Sequence, residues 1–232
     1  MAFTRKDADI AAGRLPAAAH RYRHTVEAME PLAAIRSCHR GEEIYGQEDP
    51  TEDWYRVISG MARKSASLRN GRRTIVDFLL PGDFFGFSAR EKRAFDVEAV
   101  TEGTIVARYP RRTVEKLAAG DAELSRELRE IAFDSISRLQ TRVLILSRPT
   151  AVHKVCAFLI EMGERSGQRA ELIVLPMSRY DIADYLAVSV ETVSRALTRL
   201  RLLGIIRLAD KHRVTIVNAQ IVEGGKGRLF RC

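Results

Sequence analysis

An α+β fold, β-rich in its first half and helical in its second, is predicted by three observations in this 232-residue sequence. Short runs of β-branched and aromatic residues, separated by Gly, Asn-Gly and Pro-Gly, fill the stretch from Glu30 to Arg108. A helical pattern without a breaker then runs from Asp121 to Pro149, and two short helices joined by about three residues precede a β hairpin near the end.

The elements follow in order. Residues 1–29 are Ala- and Arg-rich, interrupted by Pro16, and read as an arm with one short helix. The segments W-Y-R-V-I-S-G, A-R-K-S-A-S-L, T-I-V-D-F-L-L, F-D-V-E-A-V and T-I-V-A-R-Y read as strands. Their boundaries are Gly41, Gly46, Gly60, Asn70–Gly71, Pro81–Gly82 and Gly103, and Asn-Gly between alternating runs is a strong hairpin signal. Strands at such spacing make a compact barrel or sandwich, over residues 30–120 with a short helix near Arg112–Leu117.

The unbroken stretch, residues 121–148, places Leu124, Leu128, Ala132, Ile136, Leu139, Val143 and Leu146 at spacings of four and three, as in a coiled-coil seam. A helix of that length, at ~1.5 Å per residue, is close to 40 Å long. A small barrel does not readily bury such a seam, whereas a second copy of the chain does. A long helix lying against its own barrel is the alternative.

Residues 149–232 form the last domain. They hold 13 Lys/Arg against 8 Asp/Glu, so this shorter part carries +5 of the chain's net +8. Arg195, Arg199, Arg201, Arg207, Lys211 and Arg213 are set against one acid, Asp210. A basic cluster of this kind fits a phosphate backbone, and a solvated helix face is its plainer explanation.

Ser178 is placed to cap the helix S-R-Y-D-I-A-D-Y-L, with Asp181 three residues on as an acidic capping box. Ser189 caps the next helix, V-E-T-V-S-R-A-L-T-R-L-R-L. Ile182, Ala183, Leu186, Val188, Val193 and Leu197 supply the small core of this helix-turn-helix. Glu191 and Arg195, spaced i, i+4, point the same way. Arg grips both acceptors of guanine and a carboxylate accepts from the amine of cytosine, so the pair can read adjacent base pairs in a major groove. Val190 suits a thymine methyl, and Ser194 is short enough to let the helix approach. Ser178, Arg179, Ser189, Thr192, Arg199, Lys211 and Arg213 are the candidates for the DNA backbone, and double-stranded DNA is the expected partner. An intrahelical Glu191–Arg195 salt bridge is the alternative. Beyond Gly204, I-I-R-L-A and H-R-V-T-I-V form a wing across Asp210–Lys211.

The order of these parts resembles the CRP/FNR superfamily of bacterial transcription regulators, over residues of about 30 to 218. The landmarks are R-G-E-E-I at 40–44, V-I-S-G at 57–60, L-L-P-G-D-F-F-G-F at 79–87 and E-T-V-S-R at 191–195. The resemblance implies a β-roll (a jelly roll of cyclic-nucleotide-binding type), a dimerisation helix and a winged helix-turn-helix. Glu191, Ser194 and Arg195 match the Glu-x-x-Ser-Arg of FNR- and FixK-type members. That implies a homodimer on a TTGA-N6-TCAA palindrome and, by family habit, activation through contacts with RNA polymerase.

The sensing end departs from the pattern. In cAMP-binding members a Glu follows the Gly matching Gly86, and a later Arg-Ser or Arg-Thr pair holds the phosphate. Here Phe87 follows Gly86, and K-R-A-F-D-V-E-A-V brings Asp96 and Glu98 near. No cysteine precedes Cys38, so the iron–sulfur ligands of FNR are missing, and no cofactor or metal is expected. His20 and His24 lack a third ligand and are expected to face solvent, and the Cys38–His39 pair is weak as a metal site. The expectation is a FixK-like regulator that needs no effector. The alternative is a regulator of the same fold gated by an unfamiliar ligand or by oxidation of Cys38, Cys156 or Cys232, with Cys232 the most reactive. A cupin-type enzyme would need clustered His and Glu ligands, and the barrel segment offers His39 alone. With no signal-peptide core at its start and no apolar run near the ~20 residues of a membrane span, the chain is expected in the cytosol, away from membranes.

Overall fold

The computed structural model describes residues 22–67, 71–167, 173–210 and 212–217. Most of the expected arm, with His20, lies outside them, as do Asn70, Lys211 and Cys232. The chain divides into two compact units. One comprises residues 1–66 and 77–137, and the other residues 67–76 and 138–232.

The first unit begins with helix α1 (Arg23–Met29) and a 3₁₀ turn at Glu30–Leu32. Strands β1 (Ala34–Cys38), β2 (Glu43–Tyr45), β3 (Asp53–Ser59), β4 (Ala62–Ser67), β5 (Arg73–Leu79), β6 (Phe84–Phe85), β7 (Asp96–Ala99) and β8 (Thr104–Pro110) follow. They form two four-stranded sheets, ordered β1-β8-β3-β6 and β2-β7-β4-β5. Each strand sends at least one apolar side chain into a common core, from Cys38 and Tyr45 through Tyr55, Ala62, Leu79 and Phe85 to Val97 and Val106. That is the β-roll the sequence predicts. β1, β2 and β6 were not predicted as strands: four of the five β1 residues are exposed, and β6 has two residues.

Two glycines are required by geometry. Gly60 has φ +81°, and a Cβ there would lie 2.8 Å from the Thr104 backbone. Gly86 has φ +90°, and its Cβ would meet Arg93 and Tyr55 at 2.9 and 3.0 Å. Neither site tolerates a side chain without displacement.

Helix α2 (Arg111–Gly120) leads into α3 (Ala122–Leu146). The expected seam divides along α3. Leu124 is buried and Leu128 half-buried in a core with Tyr22, Met29, Tyr109 and Val114. There, Glu127 accepts the Thr25 backbone N–H at 2.7 Å, Tyr22 hydrogen-bonds Asp134, and Asp121 pairs with His24 at 2.7 Å. The beginning of α3 therefore lies against its own unit, which removes Leu124 and Leu128 from the expected dimer seam. Periodicity identifies an apolar face without identifying what covers it. His24, expected to face solvent, is instead a partner of α3, and the Asp121 carboxylate raises its pKa. Further along, Phe133 (64% exposed), Ile136 (50%), Val143 (64%) and Leu144 (62%) are uncovered, with Leu139 also exposed and Ala132 and Leu146 half-buried. Phe133 and Leu144 were not among the predicted seam residues.

The second unit holds α4 (Ala151–Arg165), β9 (Ile173–Val174), α5 (Arg179–Leu186), α6 (Val190–Leu202), β10 (Ile206–Leu208) and β11 (Arg213–Ile216). The three strands form an antiparallel sheet in the order β10-β11-β9. α4 starts at the Thr150 N-cap, whose side chain accepts the His153 N–H.

Candidate nucleic-acid interface

Local chemistry fixes both ends of α5. Ser178 Oγ accepts the Asp181 N–H at 3.1 Å, and the Ser178 N–H donates back to Asp181 Oδ2 at 3.0 Å, completing the capping box. The Ser178 hydroxyl also donates to Asp181 Oδ2 at 2.8 Å. Ser178 was expected at the DNA backbone, but its own donors are engaged within the cap. The buried Asp181 carboxylate also meets Arg73 Nη2 at 2.7 Å, and Asp184 accepts from the same guanidinium at 2.8 and 3.0 Å.

The chain leaves α5 through Ala187 at φ 53° and ψ 47°, a left-handed conformation unusual for a residue with a Cβ. Its N–H and that of Val188 both return to the Ala183 carbonyl, closing the helix end. Two residues on, Ser189 caps α6 by accepting the Thr192 N–H at 3.2 Å, and its hydroxyl shares a 2.9 Å hydrogen bond with that of Thr192.

α6 has two unlike faces. Val193, Ala196, Leu197 and Leu200 are buried against Ile182, Ala183 and Leu186, whereas Val188 is half-buried. The other face exposes Glu191, Ser194, Arg195, Thr198, Arg199 and Arg201, with Val190 and Thr192 half-exposed beside it. The structure thus brings Val190, Glu191, Ser194 and Arg195 together in the first turns of one capped helix. Arg195 turns toward Thr192 Oγ1 at 3.4 Å, a marginal contact, and makes no ion pair with Glu191. The Glu191 carboxyl pKa is lowered by its own backbone N–H, then by the Ser189 hydroxyl and the charge of Arg195. Glu191 is therefore an ionised acceptor at neutral pH. Ser194 donates to the Val190 carbonyl at 3.0 Å, which leaves its oxygen as an outward acceptor.

The wing is built around its one acid. Asp210 Oδ1 accepts the N–H groups of His212 at 2.7 Å and Arg213 at 2.9 Å, which lowers its pKa. Arg213 Nε lies 3.5 Å from the same carboxylate, and both side chains are mostly exposed. Arg207 and His212 are exposed as well, and Arg179 is half-buried, which lowers its pKa by desolvation. Exposed Arg199 and Arg201 occupy the last turn of α6, where the helix dipole favours cations.

Aromatic side chains pack in the interior of the β-roll. Tyr45, Tyr55 and Phe85 pack at centroid distances of 5.3 to 6.0 Å. Arg93, only 4% exposed, sets its guanidinium 4.1 Å from the Tyr45 ring centroid. It donates to the carbonyls of Gly86 and Asp53, each at 2.6 Å. Ala94, not Ser or Thr, follows it. Phe87, after Gly86, packs edge-on against Trp54 at 4.8 Å. Asp96 and Glu98, expected as free negative charge, are engaged: Asp96 accepts the Gln47 N–H at 2.7 Å, and Glu98 pairs with Arg63 at 2.5 Å. Bulk and an arginine already bonded to two backbone carbonyls oppose a nucleotide more than charge does. Sequence reasoning missed Arg93, whose partners lie far from it along the chain.

Among the described residues no group of three or more His, Cys, Asp or Glu is arranged to hold a metal, and no helix is long and apolar enough to cross a membrane. Burial raises the pKa of the Cys38 and Cys156 thiols, which lowers their thiolate fraction.

Comparison with known proteins agrees with this geometry. The family description "Crp-like helix-turn-helix domain" matches residues 153–221, and "Cyclic nucleotide-binding domain" matches residues 35–121. The nitrogen fixation regulation protein FixK of Rhizobium meliloti is 41% identical over 180 residues, which span 78% of this chain and 81% of that protein. FixK of Azorhizobium caulinodans is 39% identical over 181 residues, 76% of this chain and 73% of that protein. The solved structure of FixK2 from Bradyrhizobium japonicum superposes with a TM-score of 0.77 at 36% identity, covering 83% of this chain and 96% of that one.

Proposed function

Because this chain belongs to the CRP/FNR family of transcription regulators, of the FixK type, we propose that it acts in the cytoplasm as a homodimer reading a TTGA-N6-TCAA palindrome without a bound effector. Its relatives are regulators with a DNA-binding helix-turn-helix, not enzymes. One observation carries the base-reading role: Glu191 and Arg195 stand exposed one turn apart at the start of a doubly anchored helix, with no ion pair between them. An ionised Glu191 accepts from the exocyclic amine of cytosine and Arg195 donates to guanine, the two partners of the one G·C pair in each TTGA half-site. Val190 meets a thymine methyl and Ser194 a base edge, while Arg179, Ser189, Thr192, Arg199 and Arg213 approach phosphates. Lys211, outside the described residues, belongs to the same proposal. Ser178 contributes through the helix end that it caps.

Dimerisation uses the exposed row Phe133, Ile136, Leu139, Val143 and Leu144, with Ala132 and Leu146 at its margin. Apolar side chains so regularly spaced along one helix suit a second copy. Effector independence is supported by the packed aromatic interior and by Arg93, whose two terminal nitrogens donate to carbonyls of the chain. Activation through RNA polymerase completes the proposal, as family habit.

Base readout is tested by titrating wild type and Glu191→Ala against duplexes altered singly at each half-site position. The variant should bind the consensus more weakly and lose discrimination at one base pair, by about 1–3 kcal/mol. Unchanged discrimination at every position would remove Glu191 from base reading.

A further inference from the structure

We propose that Arg142 is a positioning residue that sets the direction in which the base-reading helix α6 leaves the long helix α3. The inference rests on the homodimer reading above and adds to it a residue that no motif marks.

Arg142 lies on the last turns of α3, among the exposed apolar residues Leu139, Val143 and Leu144. Its Nη2 donates to the Tyr185 carbonyl at 3.3 Å, and its guanidinium sits 5.0 Å from the centroid of the Tyr185 ring. That carbonyl belongs to the final turn of α5, where helix carbonyls lack intrahelical donors and the dipole attracts a cation. Arg142 supplies both a donor and a positive charge there.

Tyr185 is itself held from other directions. It is 1% exposed, its hydroxyl donates to the buried Glu161 carboxylate at 3.1 Å, and its ring packs on Phe158 at 5.5 Å. Arg165 Nη1 stands 3.6 Å from that carboxylate. Tyr185 therefore joins α4 and α5, and Arg142 on α3 grips its ring and carbonyl. Two residues later the chain turns through left-handed Ala187 into α6. One side chain thus connects the helix whose exposed row pairs two copies to the turn that aims the reading helix.

In a dimer the separation of the two reading helices must match the separation of the half-sites. If Arg142 fixes the aim of α6, its loss loosens that match while each helix-turn-helix stays intact. The test uses full-length protein and duplexes carrying TTGA and TCAA separated by five, six or seven base pairs, with a single half-site duplex beside them. Arg142→Met keeps the aliphatic stem and removes the donor and the charge.

Wild type should prefer the six-pair spacer by about tenfold or more, as a rigid dimer does. Arg142→Met should narrow that preference by about threefold or more, keep its half-site affinity and melt cooperatively; Arg142→Lys, which retains a cation and a donor, should restore part of it. A wild-type spacer preference that Arg142→Met retains in full would overturn the inference. So would a proportional fall in half-site and full-site binding, which marks a merely structural residue. Should Arg142→Met lose its cooperative melt, Arg142→Gln takes its place and the same outcomes decide. A wild type without spacer preference would refute the homodimer reading itself, a different failure seen in a different protein.

Discussion

Arg93 in the β-roll and Arg195 on α6 are the same residue type in opposite situations. Arg93 is 4% exposed, lies over an aromatic ring and gives its N–H groups to two backbone carbonyls. Arg195 is exposed and makes one marginal contact with Thr192. Elsewhere in the β-roll Glu98 is likewise engaged, with Arg63. Around Arg195, Glu191, Arg199 and Arg201 are left facing outward. A buried arginine whose two terminal nitrogens bond backbone carbonyls inside the protein holds a structure. An arginine ordered on a capped helix with its donors open is prepared for a partner outside it.

The contrast breaks first at Arg93. Arg93→Met keeps bulk over Tyr45 but leaves the Gly86 and Asp53 carbonyls without their donor, so the β-roll should lose roughly 2–4 kcal/mol in denaturant unfolding. A loss under about 1 kcal/mol would mean that Arg93 is not structural and that its site is free to do something else. Arg195→Ala should do the reverse. Its consensus affinity should fall by about 1–3 kcal/mol with discrimination lost at a guanine, while unfolding stays within ~0.5 kcal/mol of wild type. An equal loss of stability would put Arg195 in the same class as Arg93.

The turn between the two helices offers a smaller effect. Ala187 sits at φ 53°, where a Cβ costs roughly 1–2 kcal/mol that the conformational freedom of glycine partly cancels. Ala187→Gly should raise stability by up to about 1 kcal/mol and leave the order of preferred DNA sequences unchanged. A reordered preference would show that the side chain at this turn takes part in recognition.

The smallest effect is a pH dependence. The His24 pKa is raised, chiefly by its hydrogen bond to the Asp121 carboxylate. The stability gained from protonating His24 is fully present below its unfolded value of about 6.5 and is lost as pH rises through the higher folded value. The melting temperature of wild type should therefore exceed that of His24→Gln most at about pH 5.5, and the gap should shrink toward about pH 8.5. A gap that grows with pH would contradict the pairing.

The helix-turn-helix was legible in the sequence because its determinants are local. Ser178 with Asp181 and Ser189 with Thr192 act across three residues, and the structure shows both caps. The apolar positions Ile182, Ala183, Leu186, Val193 and Leu197 are buried as their spacing predicted. The β-roll was legible in outline from its turns, yet β1 and β6 were not, since strand pairing there depends on distant partners such as β8 and β3. Arg93 was illegible for the same reason: its acceptors are a carbonyl seven residues back and another forty residues back. The face of α3 was visible as a stripe, but Leu124 and Leu128 meet α1 and the β-roll while Phe133 and Val143 stay largely exposed among the described residues. A stripe records that something is to be covered. Its neighbours in space decide by what.

The most direct test of the account is a titration of purified, ligand-free protein on a TTGA-N6-TCAA duplex and on a scrambled duplex, at one stated salt and reductant concentration, because affinity falls steeply with salt. The account predicts tight binding that prefers the palindrome by about 10³-fold or more with nothing added. Selectivity that appears only when a small molecule or a change of redox state is supplied would contradict effector independence. Equal binding to both duplexes under every condition would contradict the reading of Glu191 and Arg195.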